Sequence, residues 1–428
     1  MKLSFPLGCI LPLALAACTL YSPKPVDLSQ DTETWLKLST SLCDGGQRLT
    51  LEKLHNIGLF LNPELNKARL EYARSTAIAE NAGWWEDPGL SGSLTRVREL
   101  GITNRGIGMS LTLPVTGLPG LAEKVAECYK EADYLNMQAR ERAYLVQLDS
   151  LRYKVMSTHE KLHLMQARVN QQTEEHQSAQ RMHELGEMEF ADYQVICRRL
   201  NDGQKELQEM EQEHLRVHLE MVKLLGLHFD MRTVELEGKL PPRIPAAVEM
   251  PTQEQLVQHP LLKTAMAQHG TSEAELQLEI RRQYPELNLG SGYEHEGDEH
   301  NIGLELGVSL PLWNRNKEGI AKATAERDIK EYDAVQTWRD LLMQGVSLAD
   351  MQKLLLKHCR AEQDRVSRLT AAEKKQEELY AIGETKLPAV ADARQEAYLR
   401  RLNYIDCLTN LLTTQVELQY LNPDFIAK

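Results

Sequence analysis

Gly303-Leu304-Glu305-Leu306-Gly307-Val308-Ser309-Leu310-Pro311 alternates apolar with small or polar residues and stops at a proline. Earlier in the chain, Gly106-Ile107-Gly108-Met109-Ser110-Leu111-Thr112-Leu113-Pro114 does the same, at an offset of 197 residues (106 against 303). A period of two marks a strand with two unlike faces. In the earlier copy Ile107, Met109, Leu111 and Leu113 share one face, and Gly108, Ser110 and Thr112 the other. In the later copy Ile302, Leu304, Leu306, Val308, Leu310 and Leu312 oppose Gly303, Glu305, Gly307 and Ser309.

The same offset holds outward from these strands. Pro63, Pro88 and Pro114 fall on Pro260, Pro285 and Pro311, and Gly186-Glu187 falls on Gly383-Glu384. Asn62-Pro63-Glu64-Leu65 matches His259-Pro260-Leu261-Leu262, and Asp87-Pro88-Gly89-Leu90 answers Tyr284-Pro285-Glu286-Leu287. One structural unit is written twice. The repeats are expected over residues 61–228 and 259–422, with a linker or equatorial segment, 229–258, between them.

Each unit opens on a short helix, Glu64 to Ala82 or Leu261 to Arg281, with its proline in the first turn. Weaker strands follow, through Leu90 and Leu94 and through Leu287, Leu289, Ser291 and Tyr293. These pair with the strong strands as hairpins whose turns are expected at Arg98 to Asn104 and Glu294 to His300. Past Pro114 and Pro311 come long helices, Leu118 to Glu184 and Lys317 to Ile382, free of proline beyond their first turn. The first is roughly 100 Å long at 1.5 Å per residue. Leu148, Leu151, Val155, Leu162, Met165 and Val169 keep heptad spacing, the sign of helices packed side by side. Leu348, Met351, Leu355, Leu369, Ala372 and Leu379 are the expected seam of the second. Both end at glycine turns, Leu185-Gly186-Glu187 and Ile382-Gly383-Glu384. Return helices, Phe190 to Leu225 and Pro388 to Leu421, are about half as long. The short opening helix supplies the missing length if it stacks on them end to end.

The N-terminus carries Lys2, an apolar run from Leu3 to Ala14, and Leu15-Ala16-Ala17-Cys18. Residues 1–17 read as a secretory signal. The quartet resembles the lipobox of bacterial lipoproteins, which implies cleavage before Cys18 and lipid on its sulfur. Residues 18–60 are then a lipidated N-terminal extension. Thr19 in place of Asp favours the outer membrane over retention in the inner one. A net charge of −13 argues against a nucleic-acid partner. The remaining cysteines (Cys43, Cys128, Cys197, Cys359, Cys407) are odd in number with no close spacing, and read mostly as buried apolar residues.

No catalytic constellation is present: no phosphate loop, nucleophile elbow, HExxH or CxxC. The chain reads as no enzyme and implies no cofactor. Two clusters have metal-ligand chemistry. Glu294 to His300, with His295 and His300, is either a cation site or a solvated turn. His159 and His163 share a helix face, with His176 and His183 further along, but a pair is too few for zinc.

Four strands with an apolar face cannot close a barrel, and an open edge in lipid strands backbone hydrogen-bonding groups. In water the same strands invite aggregation. Three copies supply twelve strands, an even number in the outer-membrane range. The small polar face then lines a lumen. The other reading is a soluble sheet covered by helices, or a coiled-coil rod with no pore.

Lipobox, duplication, hairpin-then-long-helix and glycine tip together resemble the TolC-like outer membrane factor family, from about Asn62 to Leu421. Val308-Ser309-Leu310-Pro311-Leu312-Trp313-Asn314-Arg315-Asn316-Lys317 resembles the strand-to-helix passage of its heavy-metal and cation efflux branch. The resemblance implies a mainly α fold with a small β part. It implies a homotrimer with an α-barrel of coiled-coil helices below a transmembrane β-barrel. It also implies passive export of metal cations or, alternatively, of organic compounds or protein. The partners implied are outer-membrane lipid, a periplasmic adaptor docking at the glycine tips, and a proton-driven inner-membrane pump. The two passages differ: Val115-Thr116-Gly117-Leu118 after Pro114 stands against Leu312-Trp313-Asn314-Arg315 after Pro311. Aspartates that form a selectivity ring in some relatives cannot be placed by spacing.

Overall fold

Proline, glycine and polar caps divide the chain into long helices and two short hairpins. The computed structural model describes residues 21–43, 48–97, 102–231, 234–296 and 299–425; Cys18 and the signal-like segment lie outside them. In chain order the elements are α1 (Leu28–Leu42), α2 (Leu51–Leu61), α3 (Pro63–Glu80), β1 (Gly89–Val97), β2 (Ile102–Leu113), α4 (Leu118–Glu184) and α5 (Phe190–Leu225). After a 3-10 turn come α6 (Gln253–Val257), α7 (Pro260–Arg281), β3 (Leu287–Glu296), β4 (Glu299–Val308), α8 (Lys317–Ala381) and α9 (Leu387–Leu421). The fold is mainly α with one four-stranded antiparallel sheet, in the order β1-β2-β3-β4.

α4 packs along α5, and α8 along α9, as two long hairpins; α3 lies on α4, and α7 spans α4 and α8. The expected end-to-end stacking is present. Asn62 caps α3 through its side-chain oxygen to Leu65 N, 3.1 Å, while its amide donates to Leu224 O at the end of α5, 2.9 Å. Gly226 closes α5 at φ +72°, and a Cβ there would sit 2.7 Å from Leu61 O. This junction therefore needs glycine both for conformation and for space. In the second repeat, Leu256 of α6 and Leu262 at the start of α7 pack with Leu418 and Leu421 at the end of α9.

The seam of α4 follows the heptads: Leu148, Leu151, Val155, Met165 and Val169 are buried, and Leu162 is half-buried. The seam expected for α8 is corrected. Its buried positions are Leu341, Gly345, Gln352, Leu356 and Cys359, while Met351 and Ala372 are exposed and Leu348 and Leu355 half-buried. Gln352 explains the miss. Its side chain mimics a strand partner, accepting from Val248 N (2.7 Å) and donating to Val248 O (2.9 Å). A buried glutamine satisfied in this way leaves no apolar mark in the sequence.

The N-terminal segment and the linker meet at the waist of the long helices. Leu49 pairs in parallel with Leu236, through Leu49 N to Glu235 O and Glu237 N to Leu49 O, both 2.9 Å. Leu54, Ile57 and Leu61 of α2 share a core with Leu148, Leu151, Met221 and Leu225. Leu240 of the linker packs with Met156, Ile405 and Leu408. A buried polar chain crosses the same level. His55 Nε2 lies 2.7 Å from Asp149 Oδ1, and Tyr420 Oη donates to Asp149 Oδ2 at 3.0 Å. Burial, reinforced by the Asp149 carboxylate, pushes the Tyr420 pKa up, so its proton stays on this bond. Cys43 and Cys359 are buried, whereas Cys128, Cys197 and Cys407 are only half-buried; none of the five is in a disulfide. Among the described residues no helix is long and apolar enough to cross a membrane.

Candidate channel-forming surfaces

The sheet sorts its side chains by chemistry. Residues directly opposite in register share a face. Leu90 opposes Met109 and Met109 opposes Ser291; Ile107 opposes Tyr293 and Tyr293 opposes Ile302; Leu111 opposes Leu289 and Leu289 opposes Leu306. This face is apolar. The other carries Ser91, Gly106, Gly108, Ser110, Gly290, Gly292, Gly303 and Gly307. Polar side chains bond across it, as Thr112 Oγ1 to Asn288 Oδ1 (3.0 Å) and Asn104 Nδ2 to Glu296 Oε1 (3.0 Å).

Among the described residues no helix covers the apolar face: Ile302 is 84% and Leu304 82% exposed. The described helices therefore do not bury this sheet, contrary to the reading of a sheet covered by helices. The hairpins are longer than expected. Thr103 and Asn104 belong to β2, opposite Arg96 and Thr95, and β3 and β4 extend to Glu296 and from Glu299. The loop tips, 98–101 and 297–298, lie outside the described residues. β4 also ends at Val308, so Leu310 and Leu312 belong to the passage rather than the strand, and both are exposed. At the helix end of the sheet stand exposed Trp84, Trp85, Tyr284 and Trp313. Aromatic side chains of this kind suit a membrane–water boundary.

The two passages turn differently. Gly117 enters α4 with φ +72°, following Pro114. In the second repeat, past Pro311, Trp313 and Asn314, the turn is made by two non-glycine residues, Arg315 (φ 46°) and Asn316 (φ 50°). Asn316 is held by its amide, which donates to Glu279 O (2.9 Å) and Glu279 Oε2 (2.6 Å). Those bonds offset the strain of left-handed backbone at two consecutive residues.

At the opposite end the two tips are built alike. Gly186 N donates to His183 O (3.0 Å) and Glu187 N to Met182 O (2.8 Å). Gly383 N donates to Tyr380 O (3.0 Å) and Glu384 N to Leu379 O (2.9 Å). Both are Schellman closures, with φ +76° and +78° at the glycines. Leu185 and Ile382 project outward, 74% and 68% exposed. The tips are brought side by side by a cluster of Ala179, Ile196, Leu387 and Ala391, with Met182, Met188 and Tyr193 around it.

Above the tips lies a charge network that no local motif announces. Arg394 on α9 reaches Glu175 on α4 (2.5 Å) and Glu377 on α8 (2.9 and 2.7 Å). Burial works against its charge, but the bonds to Glu175 and Glu377 outweigh it and raise its pKa. Arg168 on α4 binds Glu206 on α5 (2.6 Å) and lies 4.4 Å from the ring centre of Tyr398 on α9. Arg199 pairs with Asp392, and Arg401 with Glu373. Four helices are tied here by ion pairs between residues far apart in sequence.

The histidines take packing roles. His183 stacks on Tyr193 at 5.1 Å and His176 lies 5.8 Å from the same ring. His159 faces His214 on α5 at 5.7 Å, while His163 is exposed. His295 and His300 meet edge to face at 4.7 Å on the apolar side of the sheet, not in the lumen-like face. Among the described residues no group of three or more His, Cys, Asp or Glu is arranged to hold a metal ion.

Residues 252–421 match the family model described as outer membrane efflux protein. The match runs from the start of α6 to the end of α9. The Campylobacter jejuni CmeC outer membrane channel superimposes with a TM-score of 0.77 at 12% identity, over 95% of this chain and 94% of that one. A membrane protein from Pseudomonas aeruginosa gives 0.76 at 15% identity, over 87% and 89%. CusC, whose structures concern transmembrane channel formation, gives 0.74 at 13% identity, over 89% and 96%. At such identities the likeness is one of fold. No curated protein matches the chain by sequence.

Proposed function

We propose that this chain is the outer-membrane exit duct of a tripartite efflux system and acts as a homotrimer. One observation carries the reading: a four-stranded sheet with an uncovered apolar face, a small polar opposite face and two free edges, β1 and β4. Four is even and every pairing is antiparallel, so β4 of one copy meets β1 of the next in the same sense. Three copies close twelve strands and satisfy every edge. Strands of 9, 12, 10 and 10 residues have the length a tilted strand needs to cross the hydrocarbon. The duct is passive; a periplasmic adaptor meets the tips at Leu185-Gly186-Glu187 and Ile382-Gly383-Glu384, and a proton-driven inner-membrane pump supplies the energy.

Metal cations are the cargo favoured by charge. Glu294, Glu296, Glu299 and Glu305 all project from the inner face. A narrow lumen with such rings attracts cations and repels anions. Organic cations share this electrostatic preference and are the alternative cargo. Lipid on Cys18 adds an anchor to a protein the barrel already holds. Cys18→Ser is expected to abolish fatty-acid labelling while leaving the protein in the outer membrane fraction; a soluble monomer would refute the barrel.

The direct test is reconstitution in planar bilayers. Discrete, cation-selective conductance steps from a heat-resistant trimer are expected. A monodisperse protein that gives no conductance would favour the pore-less rod. Sensitivity of a deletion strain to zinc, copper, cobalt or silver, against organic toxins, assigns the cargo.

A further inference from the structure

The hairpin ends carry an arrangement that export does not require. Arg105 stands opposite His295 in the β2–β3 register, and His295 stands opposite His300 in β3–β4. The three form one row across three strands, on the apolar face. The next row toward the helices is Ile107, Tyr293 and Ile302, wholly apolar in its bulk. Acids at the same end, Glu294, Glu296 and Glu299, point to the other face. Bases and acids are thus sorted through the thickness of the sheet, although the chain as a whole is acidic at −13. Among the described residues none of the three bases is in an ion pair with a carboxylate. Tyr293 Oη hydrogen-bonds His300 Nδ1, and the two imidazoles meet at 4.7 Å, which fixes their orientation. Beside them is a shallow cleft of about 460 Å³, lined by Thr103, Arg105, Ile107, Tyr293 and His295.

We propose that Arg105, His295 and His300 form a binding row for the phosphate headgroups of lipid surrounding the barrel. This rests on the membrane reading above. The row lies eight residues along the strand from the Leu113–Leu287 pair, about 26 Å at 3.3 Å per residue. With strands tilted by roughly 40° that is about 20 Å of height, and the exposed Leu310 and Leu312 beyond Val308 extend the apolar band toward the ~25 Å an outer-membrane barrel presents to hydrocarbon, so the row emerges at headgroup level. Guanidinium and imidazole N–H groups donate to phosphate oxygens, and guanidinium does so through a planar fork. The opposite rim is fitted differently, with the exposed aromatic residues Trp84, Trp85 and Trp313. The sheet therefore has a phosphate-binding outer rim and an aromatic inner rim.

The test uses the full-length protein in vesicles of phosphatidylcholine with a minor share of phosphatidylglycerol. It is extracted with a mild detergent, and the lipid retained on the trimer is counted by native mass spectrometry. Enrichment of phosphatidylglycerol on the wild type is expected, falling roughly fivefold in R105Q/H295Q/H300Q, as loss of cationic contacts to headgroups requires. Wild-type protein that retains the two lipids in proportion to the vesicle would overturn the row, and this measurement needs no variant to fold. Unchanged enrichment in a variant of wild-type heat resistance would overturn it too. Failure of the wild type to enter vesicles at all would instead overturn the membrane reading beneath it.

Discussion

Two glycines with the same backbone angle show how much environment decides. Gly186 and Gly226 have φ +76° and +72°. A Cβ on Gly186 meets nothing within 4 Å, whereas on Gly226 it meets the Leu61 carbonyl oxygen at 2.7 Å and its carbon at 3.0 Å. Gly186→Ala is expected to cost about 1 kcal/mol, the price of left-handed backbone with a side chain. Gly226→Ala adds a clash with main chain that cannot swing away, so a loss of at least ~2 kcal/mol is expected. Urea titrations of the two variants check the order. His259 makes a pH prediction. It caps α7, accepting from Leu261 N through Nδ1 at 3.3 Å, and is 5% exposed. Burial, with the Arg142 charge nearby, presses its pKa down to about 4. A depressed histidine binds its proton more readily unfolded, so its stabilisation is present above pH 6.5 and lost as pH falls toward 4. By pH 5 the loss is about 2 kcal/mol. Melting temperatures of wild type and His259→Gln, compared at pH 7.5 and 5, should converge at the lower pH; a constant gap would contradict this.

At the scale of elements, the sequence was most legible where the backbone itself is constrained. Pro63, Pro260, Gly186 and Gly383 mark helix ends because the backbone there needs a missing N–H or a positive φ. α4 and α5 begin and end where their punctuation puts them. Both faces of β2 and β4 were legible because alternation is forced by the pleat. What stayed hidden depends on partners distant in sequence. The seam of α8 turns on Gln352 meeting Val248, 104 residues away. The Arg394 clamp joins Glu175 across 219 residues. The pairing of His295 with Arg105 on the outer side required the register, which the loop composition did not supply. The tips give a prediction at this scale. Gly186→Arg with Gly383→Arg puts large cations on an exposed end while Ile196 and Leu387 keep the hairpins packed. Heat-resistant oligomer at the wild-type level with loss of export is expected. Export unimpaired would show that the adaptor does not read the tips.

For the whole molecule, the sheet divides an apolar face from a polar one, and in the proposed barrel substitutions on neighbouring residues should part accordingly. Leu306 is 67% exposed on the apolar face, and Gly307 points the other way. Leu306→Arg, two residues inside the helix end of β4, is expected to cost about 1–2 kcal/mol of barrel stability. Gly307→Ser should leave insertion intact and alter only single-channel conductance. Vesicle flotation and planar-bilayer recordings separate these effects, and equal insertion of both variants would place that face away from lipid.

The parallel pairing of Leu49 with Leu236 also orders events in time. Arg48 meets Glu235 across 187 residues, so a chain made from its N-terminus waits for the whole first repeat before that latch can close. Until then α2 has its apolar side, Leu54 and Ile57, without the completed core. The first repeat must therefore be held by its own hairpin while the second is still being delivered. The apolar side of α2 thus lacks its full cover from the time α2 emerges until residue 236 arrives.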